Sequence, residues 1–316
     1  MIDMKTTLSQ TRIVFMGTPT IAASLLKTII QEGFPIVALI AQPDAPVGRK
    51  KELLPVPTKE IAMKHGIPVY QPESIRKDHE FIKTFPCDLI VTLAYGQIVP
   101  DEVLNWPRRG CLNVHGSLLP ALRGAAPIQY ALFNGLKETG ITLMGMVAKM
   151  DAGAMYAQVT VPIEPSDNHA TLSDRMSRSI NTHIPTLLKQ YLDGKLVGMP
   201  QDETKVTFAP SVKPEQERLD VNWPLEKFSN YIRGLAPAPG AYVLDGDDKI
   251  KLLKGHKHDD SVVGPLGLVS FEDKVLLLQL RDGRYAIETL QWPSKRVMDA
   301  QAFVNGNRHV IGHLWR

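Results

Sequence analysis

Cysteine is scarce in this chain: Cys87 and Cys111 are the two in 316 residues, with no CxxC and no HExxH pattern. Two thiolates cannot build a zinc cage alone. Each opens an apolar run, "CDLIV" and "CLNVH", where a reduced, buried, structural thiol is expected. Long hydrophobic runs are missing too. No stretch approaches the ~18–20 apolar residues that cross a bilayer, and "MIDMKTTLSQT" lacks the apolar centre of a signal peptide. A soluble, cytoplasmic protein is expected. Charge of one sign is also lacking, since 36 Lys and Arg face 33 Asp and Glu for a net +3. That balance does not argue for a nucleic-acid partner; only local clustering of bases can. "FMGTPT" (15–20) is a strand–glycine–helix turn, but Pro19 and Ala22 stand where the second and third glycines of GxGxxG belong. The missing fingerprint weighs against an NAD-dependent dehydrogenase.

What is present suits two domains: 44% of the residues are hydrophobic, enough for a large core. β-rich runs at 12–16, 36–41, 68–70, 88–96, 110–116, 140–147 and 155–163 alternate with helical patterns ending at Gly33 and spanning 58–66 and 127–135. The last of these opens on Pro127, a first-turn position where a missing N–H costs little. A long helical pattern runs from about Thr171 to Leu192, with a kink or break expected at Pro185. Strands apolar throughout, alternating with helices, predict an α/β domain over 10–198 with a mostly parallel sheet covered on both faces. After Gly198 the composition turns polar and proline-bearing, which reads as a surface linker over 199–217. Beyond a helix near 225–235, short alternating runs follow, with hairpin signals at "DGDD" and "RDGR". A small all-β domain, plausibly a barrel, is expected over 218–316, and the chain shows no internal repeat.

Asn113 and His115 interrupt the apolar "CLNVHGSLLP" (111–120) just before its glycine. Side chains two apart on a strand share a face, and this pair falls at the strand's carboxyl end, where open α/β sheets bind ligands. A core histidine with an asparagine partner is the plain alternative. Asp151, in "AKMDAGA" after the next strand, adds a third polar group at the same edge. An amide N–H and an imidazole N–H can donate to the oxyanion formed when an amine attacks an acyl carbon. A carboxylate beside the imidazole fixes its tautomer and can accept the amine's proton. The loop "GSLLPALRGAAPIQ" (116–129) carries apolar residues that either line a pocket for a flat aromatic ligand or simply pack. "QPDAPVGRKKELLPVPTK" (42–59) holds Arg49, Lys50 and Lys51 in succession, either solvated or placed to grip a polyanion. Lys249, Lys251, Lys254, His256 and Lys257 also cluster, but acidic neighbours dilute them.

At "NVHGSLLP" and "RGAAPIQ" the chain resembles the folate-dependent formyltransferases, which use 10-formyltetrahydrofolate. "GTP", "QPD…GRKK", "LAYGQIVP", "ETGITLM", "MDAG" and "QDETKVTFAP" are similar, in order, to the branch that formylates methionine on initiator tRNA. The resemblance spans nearly the whole chain, including the part from "NYIRGL" onward. Its NxHxSLLP core is shared with glycinamide ribonucleotide and sugar-nucleotide formyltransferases, whereas the basic loop and "QDET…AP" are more specific. It implies a Rossmann-like formyltransferase domain joined to an OB-like barrel that helps hold tRNA. Asn113, His115 and Asp151 match the catalytic trio, and Ser117, Leu118, Leu119 and Pro120 match the folate-contacting turn. Arg49, with Lys50 and Lys51 beside it, matches the loop that engages the acceptor arm. The implied reaction moves the formyl group of 10-formyltetrahydrofolate to the α-amino group of methionyl-tRNA for translation initiation, in a monomer, with no metal and no membrane. Ala45, Ala154 and Ala238 depart from residues common in that branch, and none touches the trio. The rivals are a sugar-nucleotide N-formyltransferase and a catalytically idle tRNA- or folate-binding protein.

Overall fold

A computed structural model describes residues 10–47 and 52–316. The chain divides into two compact units, the first built from residues up to 127, 139–162 and 173–210, the second from 128–138, 163–172 and 211–316.

In the first unit the central apolar runs form buried strands, while the strand Met155–Pro162 at the sheet edge exposes three of its eight residues. β1 (Ile13–Gly17) is buried at all five residues and is followed by α1 (Thr20–Gln31), which buries Ala22, Leu25, Leu26 and Ile29. Then come β2 (Ile36–Ile40), a two-stranded antiparallel ribbon of β3 (Ala45–Val47) and β4 (Glu52–Leu54), α2 (Pro57–Lys64), and β5 (Val69–Tyr70). β6 (Leu89–Leu93), α3 (Asp101–Leu104), β7 (Cys111–His115), β8 (Glu138–Gly145), β9 (Met155–Pro162) and α5 (His169–Leu192), the last counted here from Ser173, complete the series, while α4 (Pro127–Phe133), between β7 and β8 in the chain, falls in the second unit from Ile128 on. The sheet order is β5-β2-β1-β6-β7-β8-β9. Pairings from β5 through β7 are parallel, and β8 runs antiparallel to β7. The mostly parallel sheet follows from the doubly buried strands, since helical crossovers cover both faces. Val14, Met16, Ala38, Ile40 and Ile90 share one core cluster, each of the valine, methionine and isoleucine side chains contributing roughly 1.5–3 kcal/mol on full burial. Both cysteines are free and buried, in agreement with their apolar settings.

Two local expectations need correction. The loop expected over 42–59 contains the β3–β4 ribbon and the start of α2. Pro185 does not break α5, which continues for 24 residues. Met176, Ile180, Ile184, Leu188 and Leu192, spaced by four, are all buried and hold the helix through the missing N–H.

The second unit carries α6 (Leu225–Leu235), β10 (Ala241–Asp245), β11 (Asp248–Asp259), β12 (Val269–Glu272), β13 (Val275–Leu280), β14 (Gly283–Gln291), β15 (Met298–Asp299) and α7 (Ala300–Gly306). Its antiparallel sheet runs β10-β11-β14-β13-β12, with β15 on β14. "DGDD" and "RDGR" make two-residue hairpins, seen in the pairs Asp245 with Asp248 and Leu280 with Gly283. The end of the chain covers both sheet edges. Arg316 exchanges backbone hydrogen bonds with Leu244 on β10, while Trp315 donates to Gly267 O and Val269 on β12 donates to His313 O. This closure satisfies edge groups that would otherwise be open to pairing. The unit is not purely β, because α6 and α7 contribute Phe228, Ile232, Phe303 and Val304 to its core.

Candidate active site

The first unit's sheet reverses its growth at β1: β2 lies on one side and β6 on the other. Ligand crevices form outside the carboxyl ends at such a point. Here a side-chain network ties the three strand ends together. Thr18 Oγ1 donates to Tyr95 O at 3.2 Å, the Gln42 amide donates to the same oxygen at 3.0 Å, and Thr58 Oγ1 donates to Gly17 O at 2.9 Å. Polar side chains, not a glycine-rich phosphate turn, fill the mouth of β1.

One strand further along, β7 ends in Asn113 and His115, two apart and on one face. His115 is 5% exposed and Asp151 14%. Asp151 sits in the β8–β9 loop, and its carboxylate converges on three groups. Asn113 Nδ2 donates to Oδ1 at 3.4 Å, Gly124 N donates to Oδ2 at 2.9 Å, and His115 Nδ1 lies 3.7 Å from Oδ2. The three residues expected to converge do so. The imidazole's other nitrogen, Nε2, is 2.9 Å from Leu122 O. A carbonyl only accepts, so Nε2 carries a hydrogen and donates it. The neutral ring therefore has its lone pair on Nδ1, facing Asp151. The sequence points to the carboxylate as the group that fixes the tautomer; the Leu122 carbonyl does so instead.

Backbone conformation around the set is unusual. Leu122 has φ 60° and Asp151 φ 49°, both in the left-handed region, and Ala94 after β6 has φ 50°. An aspartate tolerates this; a leucine does so at a cost of roughly 1–2 kcal/mol. The Leu122 segment is held on both sides. Leu122 N donates to Thr207 Oγ1 at 2.9 Å, Arg123 N donates to Thr207 O at 2.9 Å, and Ala209 N donates to Arg123 O at 2.7 Å.

The turn at Ser117–Pro120 follows β7 directly and is fastened from the neighbouring strands. Thr142 Oγ1 on β8 donates to Ser117 O at 2.7 Å and accepts from Leu119 N at 3.1 Å, and Gln158 Nε2 on β9 donates to Leu119 O at 2.8 Å. Ser117 and Leu119 are buried, while Leu118 and Pro120 are half-buried. The four residues thus split into two that anchor the turn and two with surface left to meet a ligand.

Arg49, Lys50 and Lys51 lie outside the described residues. In the second unit, Lys254 and His256 both meet Glu288, at 2.7 and 2.8 Å, and Lys257 pairs with Asp260. Much of that basic cluster is neutralised locally. Sequence reasoning missed Thr142, Gln158, the Leu122 carbonyl and Gln201, whose contacts form only through long-range folding. The available signals were the polar density of "PQDETK" and the family-like "QDET…AP" motif that Gln201 opens, neither of which shows what the side chain bonds. That stretch is no free tether: through Pro210 it belongs to the first unit, and 201–209 bond the loops around Asp151 and Arg123.

A parallel sheet with an amide, an imidazole and a carboxylate at its carboxyl edge defines a class, and comparison with known proteins agrees. Residues 11–188 match the formyl transferase family and residues 211–308 match the formyl transferase C-terminal domain. The chain belongs to the formyl transferase family. Within it, the methionyl-tRNA formyltransferase of Bacillus licheniformis is 42% identical over 300 residues, 94% of this chain and 95% of that enzyme. The enzyme of the same name from Bacillus subtilis is 43% identical over 308 residues, 96% of this chain and 97% of the relative. Among solved structures, a sugar 3N-formyl transferase, WlaRD, crystallised with dTDP and 5-N-formyl-THF, superposes with TM-score 0.64 at 15% identity, over 90% of this chain and 99% of that one. HypX from Aquifex aeolicus in complex with tetrahydrofolic acid superposes with TM-score 0.63 at 18% identity, over 94% of this chain. The chain spans about half of HypX, 47%. At these identities the two structures speak for the fold alone. Among the described residues, no helix is long and apolar enough to cross a membrane.

Proposed function

We propose that the protein transfers the formyl group of 10-formyltetrahydrofolate to the α-amino group of methionine on charged initiator tRNA, preparing that tRNA for translation initiation. The observation that carries the chemistry is the Asp151 carboxylate facing both Asn113 Nδ2 and His115 Nδ1 at the sheet's carboxyl edge. The full-length similarity to methionyl-tRNA formyltransferases favours aminoacylated tRNA over an amino-sugar nucleotide as the amine.

The donor supplies a formyl group on a folate nitrogen. Leu118 and Pro120, half-buried on a turn fixed by Thr142 and Gln158, suit the apolar face of a flat heteroaromatic ring. As the methionine amine attacks the formyl carbon, a C–N bond forms and the formyl oxygen gains charge. An amide carries two N–H donors; one on Asn113 faces Asp151, and the other is free to stabilise that oxygen. The amine's proton passes to the Asp151–His115 pair, on Oδ2 or on Nδ1. With Nε2–H committed to Leu122 O, a second proton makes the ring a cation whose Nδ1–H points at the carboxylate. Returning that proton to the departing folate nitrogen as its bond to the formyl carbon breaks completes the transfer.

The test is direct. Purified protein and 10-formyltetrahydrofolate are incubated with either methionyl-initiator tRNA or a dTDP-amino sugar, and the product is analysed for formyl. Formylation of the tRNA alone is expected; formylation of the sugar alone would reverse the choice of amine.

A further inference from the structure

The segment after the first unit's last helix reaches the active-site edge through one side chain with three-way chemistry. Gln201 Nε2 donates to Asp151 O at 2.7 Å and to Gly153 O at 2.8 Å. Its Oε1 accepts from Arg123 Nε at 3.0 Å and from Arg123 Nη2 at 2.8 Å. Two carbonyls on one side and a guanidinium on the other admit one orientation of the amide. No other side chain of this length offers a paired donor and an acceptor: a glutamate lacks the N–H groups, and a lysine or arginine lacks the oxygen.

The surroundings make this joint rigid. Arg123 is 1% exposed and also donates to Glu203 Oε1 at 2.7 Å, while Lys149 Nζ donates to Glu203 Oε2 at 2.8 Å. Arg123, with Lys149 behind it, holds the Glu203 carboxyl down to about 2, so the acceptor stays charged at any working pH. Residues 149, 151 and 153 are therefore all fastened to 201 and 203. Arg123 sits between Leu122, whose carbonyl sets the His115 tautomer, and Gly124, whose N–H meets Asp151 Oδ2. Gln201 thus spans the two loops that orient the imidazole and the carboxylate.

We propose that Gln201 is a positioning residue for the formyl transfer: by tying the Asp151 loop to Arg123, it sets the distance between the Asp151 carboxylate and His115 Nδ1. This rests on the catalytic reading of Asp151 given above. Gln201 acts through that pair and meets neither substrate.

The test is a double-mutant cycle in the full-length protein with kcat and KM measured separately. Gln201→Ala is expected to lower kcat roughly 10- to 100-fold, the scale of a small misplacement at a reacting pair, with KM for donor and tRNA nearly unchanged. Gln201→Glu keeps an acceptor for Arg123 but offers no donor to the two carbonyls, so it should resemble Gln201→Ala. A double variant with Asp151→Asn should turn over no more slowly than Asp151→Asn alone, because a misplaced carboxylate that is already gone costs nothing further. Multiplied losses in the double variant, a pure rise in KM, or wild-type turnover in Gln201→Ala would each overturn the proposal. Wild-type turnover in Asp151→Asn would instead sink the catalytic reading of Asp151, and the positioning role with it. Native thermal midpoints for all variants separate these results from loss of folded protein.

Discussion

At the scale of single residues, the site depends on which atom carries which hydrogen. His115 is buried, and its Nε2–H is spent on Leu122 O. In the proposed mechanism the ring therefore works through Nδ1, which faces Asp151. Removing a positioned proton acceptor costs roughly 10²–10⁴ in rate. His115→Ala should show a loss in that range in single-turnover formylation, with donor binding by fluorescence or calorimetry nearly intact. Wild-type turnover would remove the imidazole from the mechanism. The proposed mechanism makes no use of the two thiols. Burial pushes the Cys87 thiol up to about 12 and the Cys111 thiol higher still, so both remain protonated near neutral pH and behave as small apolar side chains.

At the scale of elements, the β8–β9 loop is placed by backbone contact as much as by side chains. Gly145 N donates to Ala154 O at 2.8 Å, and a Cβ on Gly153 would lie 1.8 Å from Gly145 O. No rotamer relieves that clash, because the obstacle is backbone. Gly153→Ala must shift the loop that carries Asp151. A loss of about 10²-fold in kcat is expected, together with roughly 1–3 kcal/mol of stability from overpacking. Gly306 at the end of α7 is the control, since a Cβ there meets nothing within 4 Å. Gly306→Ala should leave both kcat and the unfolding midpoint essentially unchanged. Equal behaviour of the two variants would mean that the close approach at Gly153 does not constrain the site.

At the scale of the whole molecule, the charge that distinguishes a tRNA substrate is local. The net charge is +3, and the bases on β11 that meet Glu288 or Asp260 are spoken for. Arg49, Lys50 and Lys51 are the run with no acidic residue inside it. Each phosphate contact releases counterions, so log affinity should fall with log salt by about 0.7–0.9 per contact. Arg49→Ala should weaken use of charged tRNA and flatten that slope by roughly one unit. Arg49→Lys should recover part of the loss, because an ammonium cannot reproduce a bidentate guanidinium contact. Formylation of methionyl-tRNA is measured across salt concentrations, with donor affinity as the internal control. Identical rates and slopes for wild type and Arg49→Ala would leave the basic loop as solvated surface.

How much of this was legible in the chain differs from feature to feature, and the differences have causes. The sheet strands were readable because doubly buried strands are apolar at every position, as β1 and β6 are. The Asn113–His115 pair was readable because a two-residue period places both on one face, and Asp151 because it follows the next strand. The hairpins at "DGDD" and "RDGR" are legible through glycine, whereas the β12–β13 turn uses Asp273 and Lys274 at φ 48° and 67°, with a lysine where glycine is the usual choice. A break at Pro185 does not occur because propensity is local, while the buried ridge from Met176 to Leu192 that overrides it is not. The polar stretch 199–217 reads as a surface linker because composition cannot distinguish a side chain facing water from one bridging two loops. Gln201 lies 78 residues from Arg123 and 50 from Asp151. Pattern along the chain reports which face a residue occupies within its own element. Which hydrogen bond a lone amide completes is settled when distant loops meet, and that meeting sets the tautomer of His115 and the place of Asp151.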